Sequence, residues 1–276
     1  MTIEEFHISP EELNEGIVIP VDKPRGWSSF QVVNKLKWLI KRELNIKKFK
    51  IGHAGTLDPL ATGLLLVCAG PATKQIPSLQ EGEKEYSGTM VLGATTPCFD
   101  LERAIDAYYP TAQINEDLIE AVRQRFVGKQ HQVPPMFSAV KVEGQRAYEA
   151  ARNGEEQDLR AKEVAIHEFG IISFRAGKPV WKSASLGAAG YMPDKAVMPY
   201  ARHAEEGSPH KEYYRNPQGY VPDFLPQIDF QVRCSKGTYI RSLARDFGAA
   251  LGSGAYLSAL RRTRIGEHFV SDAMSL

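Results

Sequence analysis

Cysteine is scarce: Cys68, Cys98 and Cys234 are the only three in 276 residues, and they lie far apart. Such spacing fits neither a disulfide framework nor a metal-ligand set. It points to buried, reduced thiols in a cytoplasmic protein. Long apolar runs are missing too, and none approaches the roughly 18 residues needed to cross a bilayer. The opening MTIEEFHISPEELNEG is acidic and polar, so it reads as no secretory signal. There is no P-loop and no dinucleotide fingerprint. Net charge is only +1, a sum that argues neither for nor against nucleic acid, since distribution decides that question. Apolar residues at 43% and charged ones at 24% are ordinary for a soluble protein with a sizeable core.

What is present concentrates in KIGHAGTLDPLATG, residues 50–63. This stretch holds three glycines, a proline, one histidine and one aspartate, and runs into Leu64-Leu65-Leu66-Val67-Cys68-Ala69, which reads as buried. Glycine at this density lets a backbone turn sharply and lie close to a ligand. A polar loop pinned to a core element, with Asp58 at its tip, suits the display of a reactive side chain. Asp-Pro by itself reads rather as a helix start, with Asp58 capping and Pro59 in the first turn.

Around that loop the chain alternates strand and helix signals. Residues 16–21 are strand-like and DKPRGW (22–27) is a turn. Ser28 and Ser29 are candidate caps for a helix whose apolar positions Phe30, Val33, Leu36, Leu39 and Ile40 recur at helical spacing to about Leu44. Between Lys35 and Lys50, seven cations face a single acid, Glu43. Such a run suits a solvated helix face or, beside a reactive loop, contact with phosphates. A helix follows from Ala72 to about Gly82, and residues 84–93 then alternate as a half-buried strand. Residues 114–126 form an amphipathic helix with Gly128 as its stop, and 148–152 form another, ended by Gly154. Residues 164–174 and 228–235 read as strands, and a further helix begins near Tyr239. Residues 176–222 are rich in Gly, Pro, Ser, His and Tyr, with no sustained period.

GHAGTLDPLATGLLL closely resembles the signature of the tRNA pseudouridine synthase B (TruB) family. So does the opening, where DKPxGxxS is carried by Asp22, Lys23, Pro24, Gly26 and Ser28 or Ser29. QVPPMFSAVKVEGQRAY (132–148) resembles a second family block, with Phe137 where tyrosine is usual. CSKGTYIRSLARDFG (234–248) and LRRTRIG (260–266) resemble two more. LGATTPCFD (92–100) resembles the family's LGxxTxTxD loop, but Pro97 and Cys98 replace hydroxyl residues, which weakens the case for Asp100. The similarity covers residues 16–270 except 176–222. It therefore implies a loop insertion at 176–222, either a surface excursion or an RNA-contacting arm. The chain ends at Leu276, soon after LRRTRIG, so the resemblance implies a short form: one catalytic domain over 1–276, without the family's PUA domain.

The resemblance implies an α+β fold, a mixed and mostly antiparallel sheet flanked by helices. It implies a tRNA pseudouridine synthase acting on the T-loop uridine at tRNA position 55. Asp58 is then the nucleophile, Arg241 the cation that keeps it ionised and oriented, and Tyr86 the ring that stacks on the target base. His53 fills space vacated by flipped bases, Lys23 and Tyr239 line the site, Leu260 packs in the pocket, and the arginines of LRRTRIG reach phosphate. An extruded base must be offset for its lost stacking, and aromatic rings do this. The reaction moves the ribose bond from uracil N1 to C5 without redox change, so no metal or cofactor is expected. Whether Asp58 adds to C6, attacks C1′ or promotes a glycal stays open. The expected partner is the tRNA T stem-loop, bound by a monomer with no membrane and no obligatory protein partner. Rival readings are a non-catalytic tRNA-binding or folding protein, a guide-RNA-dependent pseudouridine synthase, and an unrelated hydrolase using Asp58.

Overall fold

The continuous apolar run after the loop becomes a strand covered on both faces. In the computed structural model, which describes residues 5–138, 141–142, 145–146, 159–177 and 221–276, strand β1 (Ile17–Lys23) lies antiparallel to a later strand, Thr62–Ala69, along its whole length. Between them comes β2 (Ile51–His53), so Thr62–Ala69 is β3. Leu65, Val67 and Ala69 pack with Val32, Val33, Leu36 and Ile40 of helix α2 (Ser29–Leu44), which follows the short α1 (Pro10–Glu15). Leu64 and Leu66 point the other way, into a cluster with Ala54 and Ile265. Period-two alternation thus feeds two cores, which is why no polar residue interrupts the run.

Helix α2 starts where the sequence indicates. Ser28 accepts from the Gln31 N–H and the Gln31 side chain answers at the Ser28 N–H, a reciprocal cap. Phe30 departs from expectation. It falls on the outer side of the first turn and is 69% exposed, while Val32 takes the inward place.

The remaining elements are α3 (Ile76–Glu81), β4 (Lys84–Leu92), β5 (Ala94–Thr95), β6 (Ala107–Tyr108), α4 (Glu116–Gln124), β7 (Gly128–Gln132), β8 (Lys141–Val142), β9 (Gln145–Arg146), β10 (Lys162–Arg175), β11 (Gln227–Cys234), α5 (Ile240–Ala250), β12 (Ala255–Ile265), β13 (His268–Phe269) and β14 (Met274–Ser275). Residues 1–87, 231–236 and 259–276 form one compact unit, and 88–230 with 237–258 a second. In the first the strand order is β14-β1-β3-β12-β4-β11, with β2 also on β3 and β13 on β12. In the second it is β12-β4-β11-β10-β7. Pairing is parallel for β1 with β14 and β3 with β12, and antiparallel for β1 with β3 and β7 with β10. The fold is therefore α+β with a mixed sheet, flanked by helices. Among the described residues no helix is long and apolar enough to cross a membrane. The helix expected at 148–152 and nearly all of the stretch 176–222, where an insertion is expected, lie outside the described residues.

The second unit has an aromatic core. Phe247 of α5 meets Phe126 and Phe169 edge-on, each at 5.5 Å, and Phe169 meets Phe230 at 6.1 Å. On its strands, Asp229 of β11 accepts from Thr89 of β4 (2.7 Å), Ser173 of β10 (2.7 Å) and the Arg175 guanidinium. These donors, Arg175 foremost, hold the carboxyl well below its ordinary 3.8. A depressed carboxylate stabilises the fold fully above its unfolded value and loses that contribution as pH falls beneath it. Asp229→Asn is expected to cost roughly 1 kcal/mol at pH 7, because the site is partly solvated. In denaturant titrations the gap to the wild type should close progressively below pH 3.8.

Candidate active site

Asp58 lies in the loop between β2 and β3. Glycine is required where β3 begins: Gly63 has φ +98°, and a Cβ there would meet the Arg262 carbonyl at 2.2 Å. Before it, Leu57 is buried, and its N–H and C=O are both taken by the Ser29 hydroxyl, at 2.9 and 3.1 Å. The Pro59 carbonyl accepts from the Gly26 N–H at 2.8 Å. Ala61 N–H donates to the Asp58 carbonyl at 3.1 Å, closing a turn. No helix follows Asp58, so capping does not explain it. The side chain is half-buried at the tip of a loop whose main chain is fixed on both sides.

Two buried cations do much of that fixing. Lys23, at the end of β1, is fully buried, and its ammonium donates to the carbonyls of Pro24 (3.0 Å), Trp27 (2.5 Å) and Pro59 (3.1 Å). Burial lowers its pKa to about 8, with Asp58 opposing and Arg262 adding to the fall, so it is charged at neutral pH. Three N–H groups meet three carbonyls. Lys23 thus fastens the loop instead of reaching into a substrate space.

Arg262, opposite Gly63 on β12, is 2% exposed. Its Nε donates to the Leu64 carbonyl (2.8 Å) and its Nη2 to the Gly55 carbonyl (3.0 Å), and its charge acts on the Tyr86 phenol. Of the LRRTRIG arginines expected to reach phosphate, Arg262 is corrected here, because it is buried. Arg262 points inward, Arg261 forks onto Asp22 at 3.0 and 2.6 Å, and Arg264 pairs with Glu85 at 2.6 Å. An arginine in an alternating strand reads as outward, and nothing in the sequence marks this one otherwise.

Tyr86, on β4, is half-buried, and burial raises its phenol while Arg262 pulls the other way. Asp58 is close enough to act on both Tyr86 and Lys23. His53 ends β2. Burial first, then Arg262, lowers its imidazole, so the ring is neutral at pH 7. Its Nδ1 is buried with no hydrogen-bond partner among the described residues. Leu260, two residues before Arg262 on β12, is half-buried.

The second unit carries Arg241 and Tyr239. Arg241, in the first turn of α5, is 5% exposed. It donates to the carbonyls of Cys98 (3.2 Å) and Phe137 (2.9 Å), and its Nε lies 3.7 Å from Asp100. Asp100, set aside on sequence grounds, is buried there and also accepts from the Glu102 N–H at 2.9 Å. The Cys98 thiol lies 2.9 Å from Asp100 and is pushed up to about 12, chiefly by burial, so it keeps its proton and donates. A thiol thus supplies the donor that a hydroxyl would offer at that place. Gln132 grips the main chain of Tyr239 at both atoms, 2.8 and 3.1 Å, and the Val133 carbonyl accepts from Ser242 and Arg245. The described part of the second sequence block therefore holds α5, and Phe137 contributes through a carbonyl that needs no ring hydroxyl.

Comparison with known proteins gives one answer. A family model described as TruB family pseudouridylate synthase (N terminal domain) matches residues 41–186. A protein of Flavobacterium johnsoniae named tRNA pseudouridine synthase B is 46% identical over 270 residues, covering 98% of this chain and 96% of that one. A namesake from Phocaeicola vulgatus is 44% identical over 262 residues, 95% of this chain and 91% of its own. Among solved structures, a chain of a Cbf5-Nop10-Gar1 complex is similar at 27% identity and TM-score 0.56, covering all of this chain and 58% of that one.

Arg262→Met would strand the Gly55 and Leu64 carbonyls, at an expected cost of about 2–5 kcal/mol in denaturant unfolding. It should also raise the Tyr86 phenol further in a spectroscopic titration, since Arg262 is what lowers it. Wild-type stability together with an unmoved phenol would remove Arg262 as the clamp.

Proposed function

The chain belongs to the TruB family of pseudouridylate synthases, and from that membership we propose that it converts the T-loop uridine at tRNA position 55 to pseudouridine. The observation that carries this reading is end-to-end similarity to proteins named tRNA pseudouridine synthase B, at 46% and 44% identity. A fixed loop presenting Asp58 near Tyr86 supports it from the side of the chemistry. The guide-RNA-dependent reading is weaker, because the Cbf5 chain matches at 27% identity over little more than half its length. We take the protein to act on tRNA as a monomer, in the cytoplasm, without an obligatory protein partner.

In this proposal Asp58 is the nucleophile. The ribose C1′–N1 bond breaks and the Asp58 carboxylate bonds to C1′ or to C6, the uracil turns, C1′ joins C5, the bond to Asp58 breaks, the C5 proton leaves and N1 takes one up. Atoms and electrons balance within the nucleotide. Tyr86 stacks on the extruded uracil, and its protonated hydroxyl is steadied by Arg262. A neutral His53 occupies the stack that the base leaves, where an uncharged ring is cheaper to bury than an imidazolium. Arg241 is the cation assigned to Asp58, supported by its place in the CSKGTYIRSLARDFG motif and by its fixed guanidinium. Leu260 and Tyr239 line the base pocket. Lys23 and Asp100 are positioning residues, the first for the loop and the second for Arg241.

An unmodified tRNA transcript carrying tritium at uracil C5 tests the reaction, since pseudouridine formation releases that tritium to water. Release is expected from the natural transcript and not from one with cytidine at position 55; release from neither would refute the assignment. Asp58→Asn should lower turnover by more than about 10³-fold while tRNA binding persists. Arg241→Ala should lose at least about 10²-fold, and full activity in either variant would remove that residue from the chemistry.

A further inference from the structure

Helix α2 carries a second feature that the reaction does not use. Gln31, Lys35, Trp38, Arg42 and Asn45 follow one another at steps of four and three, so they form one stripe along the helix, and all are exposed. The opposite side, Val32, Val33, Leu36 and Ile40, fills the core. Apart from Gln31, which caps the helix at Ser28, the stripe has no part in the core, yet it holds a tryptophan that is 52% exposed. Lys35 Nζ lies 5.4 Å and Arg42 Cζ 4.5 Å from the centre of that ring. Beside it is a groove of about 300 Å³, bordered by Phe6, Lys35, Trp38, Leu39 and Arg42. Glu43, the single acid between Lys35 and Lys50, is engaged by His7 at 3.0 Å.

The position of the stripe matters as much as its composition. The first residue of α2, Ser29, is the one whose hydroxyl holds Leu57, next to Asp58. From there sixteen residues carry the helix about 24 Å outward. A cationic stripe with an exposed indole thus starts at the reactive loop and leads away from it.

We propose that this face of α2 is an accessory RNA contact, which takes the sugar–phosphate backbone of the stem adjoining the target loop. Lys35 and Arg42 pair with phosphates, and Trp38 packs against ribose in the wide, shallow minor groove of the A-form stem. The inference rests on the reading of the substrate as tRNA. RNA is the occupant that fits: a polyanion matches the charge, and the stem next to an extruded loop base is the part of the substrate within reach of a helix rooted at that loop. Trp38 adds contact area that phosphate pairing alone would not call for.

The test compares wild type with Lys35→Glu/Arg42→Glu in the tritium-release assay on the unmodified transcript. The variant should raise KM at least tenfold with kcat within about twofold, and the slope of log affinity against log salt should fall by about two. Lys129→Glu/Lys162→Glu, an equal charge change at exposed positions of β7 and β10, should leave KM within about twofold. Trp38→Phe should abolish most of the fluorescence quenching caused by the position-55 cytidine transcript. Unchanged KM and salt slope in the α2 variant, or an equal loss in the control pair, would overturn the proposal. So would quenching that survives in Trp38→Phe. Failure of the underlying reading looks different: the wild type itself would then release no tritium.

Discussion

Two buried cations bonded to main-chain carbonyls are the constraint on which the Asp58 loop depends. Lys23 gathers Pro24, Trp27 and Pro59, and Arg262 gathers Gly55 and Leu64, so carbonyls on either side of Asp58 are tied to strands β1 and β12. Burying a charge is costly unless its hydrogen bonds are met, and here each ammonium and guanidinium hydrogen named has an acceptor. The return is a loop rich in glycine that nonetheless has a fixed path. Flexible composition and rigid placement are compatible because the glycines supply close approach, as Gly63 does against Arg262, while the cations remove the freedom.

The second unit solves a similar problem with different groups. A buried guanidinium, Arg241, is held by two carbonyls and an ion pair, and the carboxylate of that pair is itself held by a thiol and a backbone N–H. The Cys98 thiol can serve only because burial keeps it protonated. Replacement of a hydroxyl residue by cysteine therefore keeps a donor at that place, though a weaker, larger and more polarisable one.

Much of this was legible from local pattern. The cap at Ser28, the strand from Lys84 and the helix starting beside Tyr239 follow from residue type and spacing, and the structure has them where the sequence puts them, but burial along β4 does not alternate as expected. What was not legible depends on distant partners. Phe30 fits the helical period but lies on the outer side of α2 because Val32 reaches the core first. Arg262 looks like one surface cation of three until Gly55, Leu64 and Tyr86 are seen around it. Asp100 looked doubtful because its neighbours departed from the usual hydroxyls, whereas the buried Cys98 thiol still offers it a donor, if a weaker one. Lys23 could be placed near the loop, but its three carbonyl acceptors are set by the turn's path.

The pairing of Arg262 with the Gly55 loop also has a meaning in time. Gly55 and Arg262 are 207 positions apart, as are few contacts that decide a local geometry. A nascent chain that has emerged through Asp58 has the loop sequence and β1, but neither β12 beside β3 nor the guanidinium that gathers the carbonyls. Contacts of such separation are slow to form, because a long segment must be closed before they give anything back. Throughout synthesis of the intervening two hundred residues the loop has Lys23 and Ser29 to hold it but lacks the Arg262 clamp. The full set of ties on the Asp58 loop is therefore complete only once β12 has been made and has paired with β3.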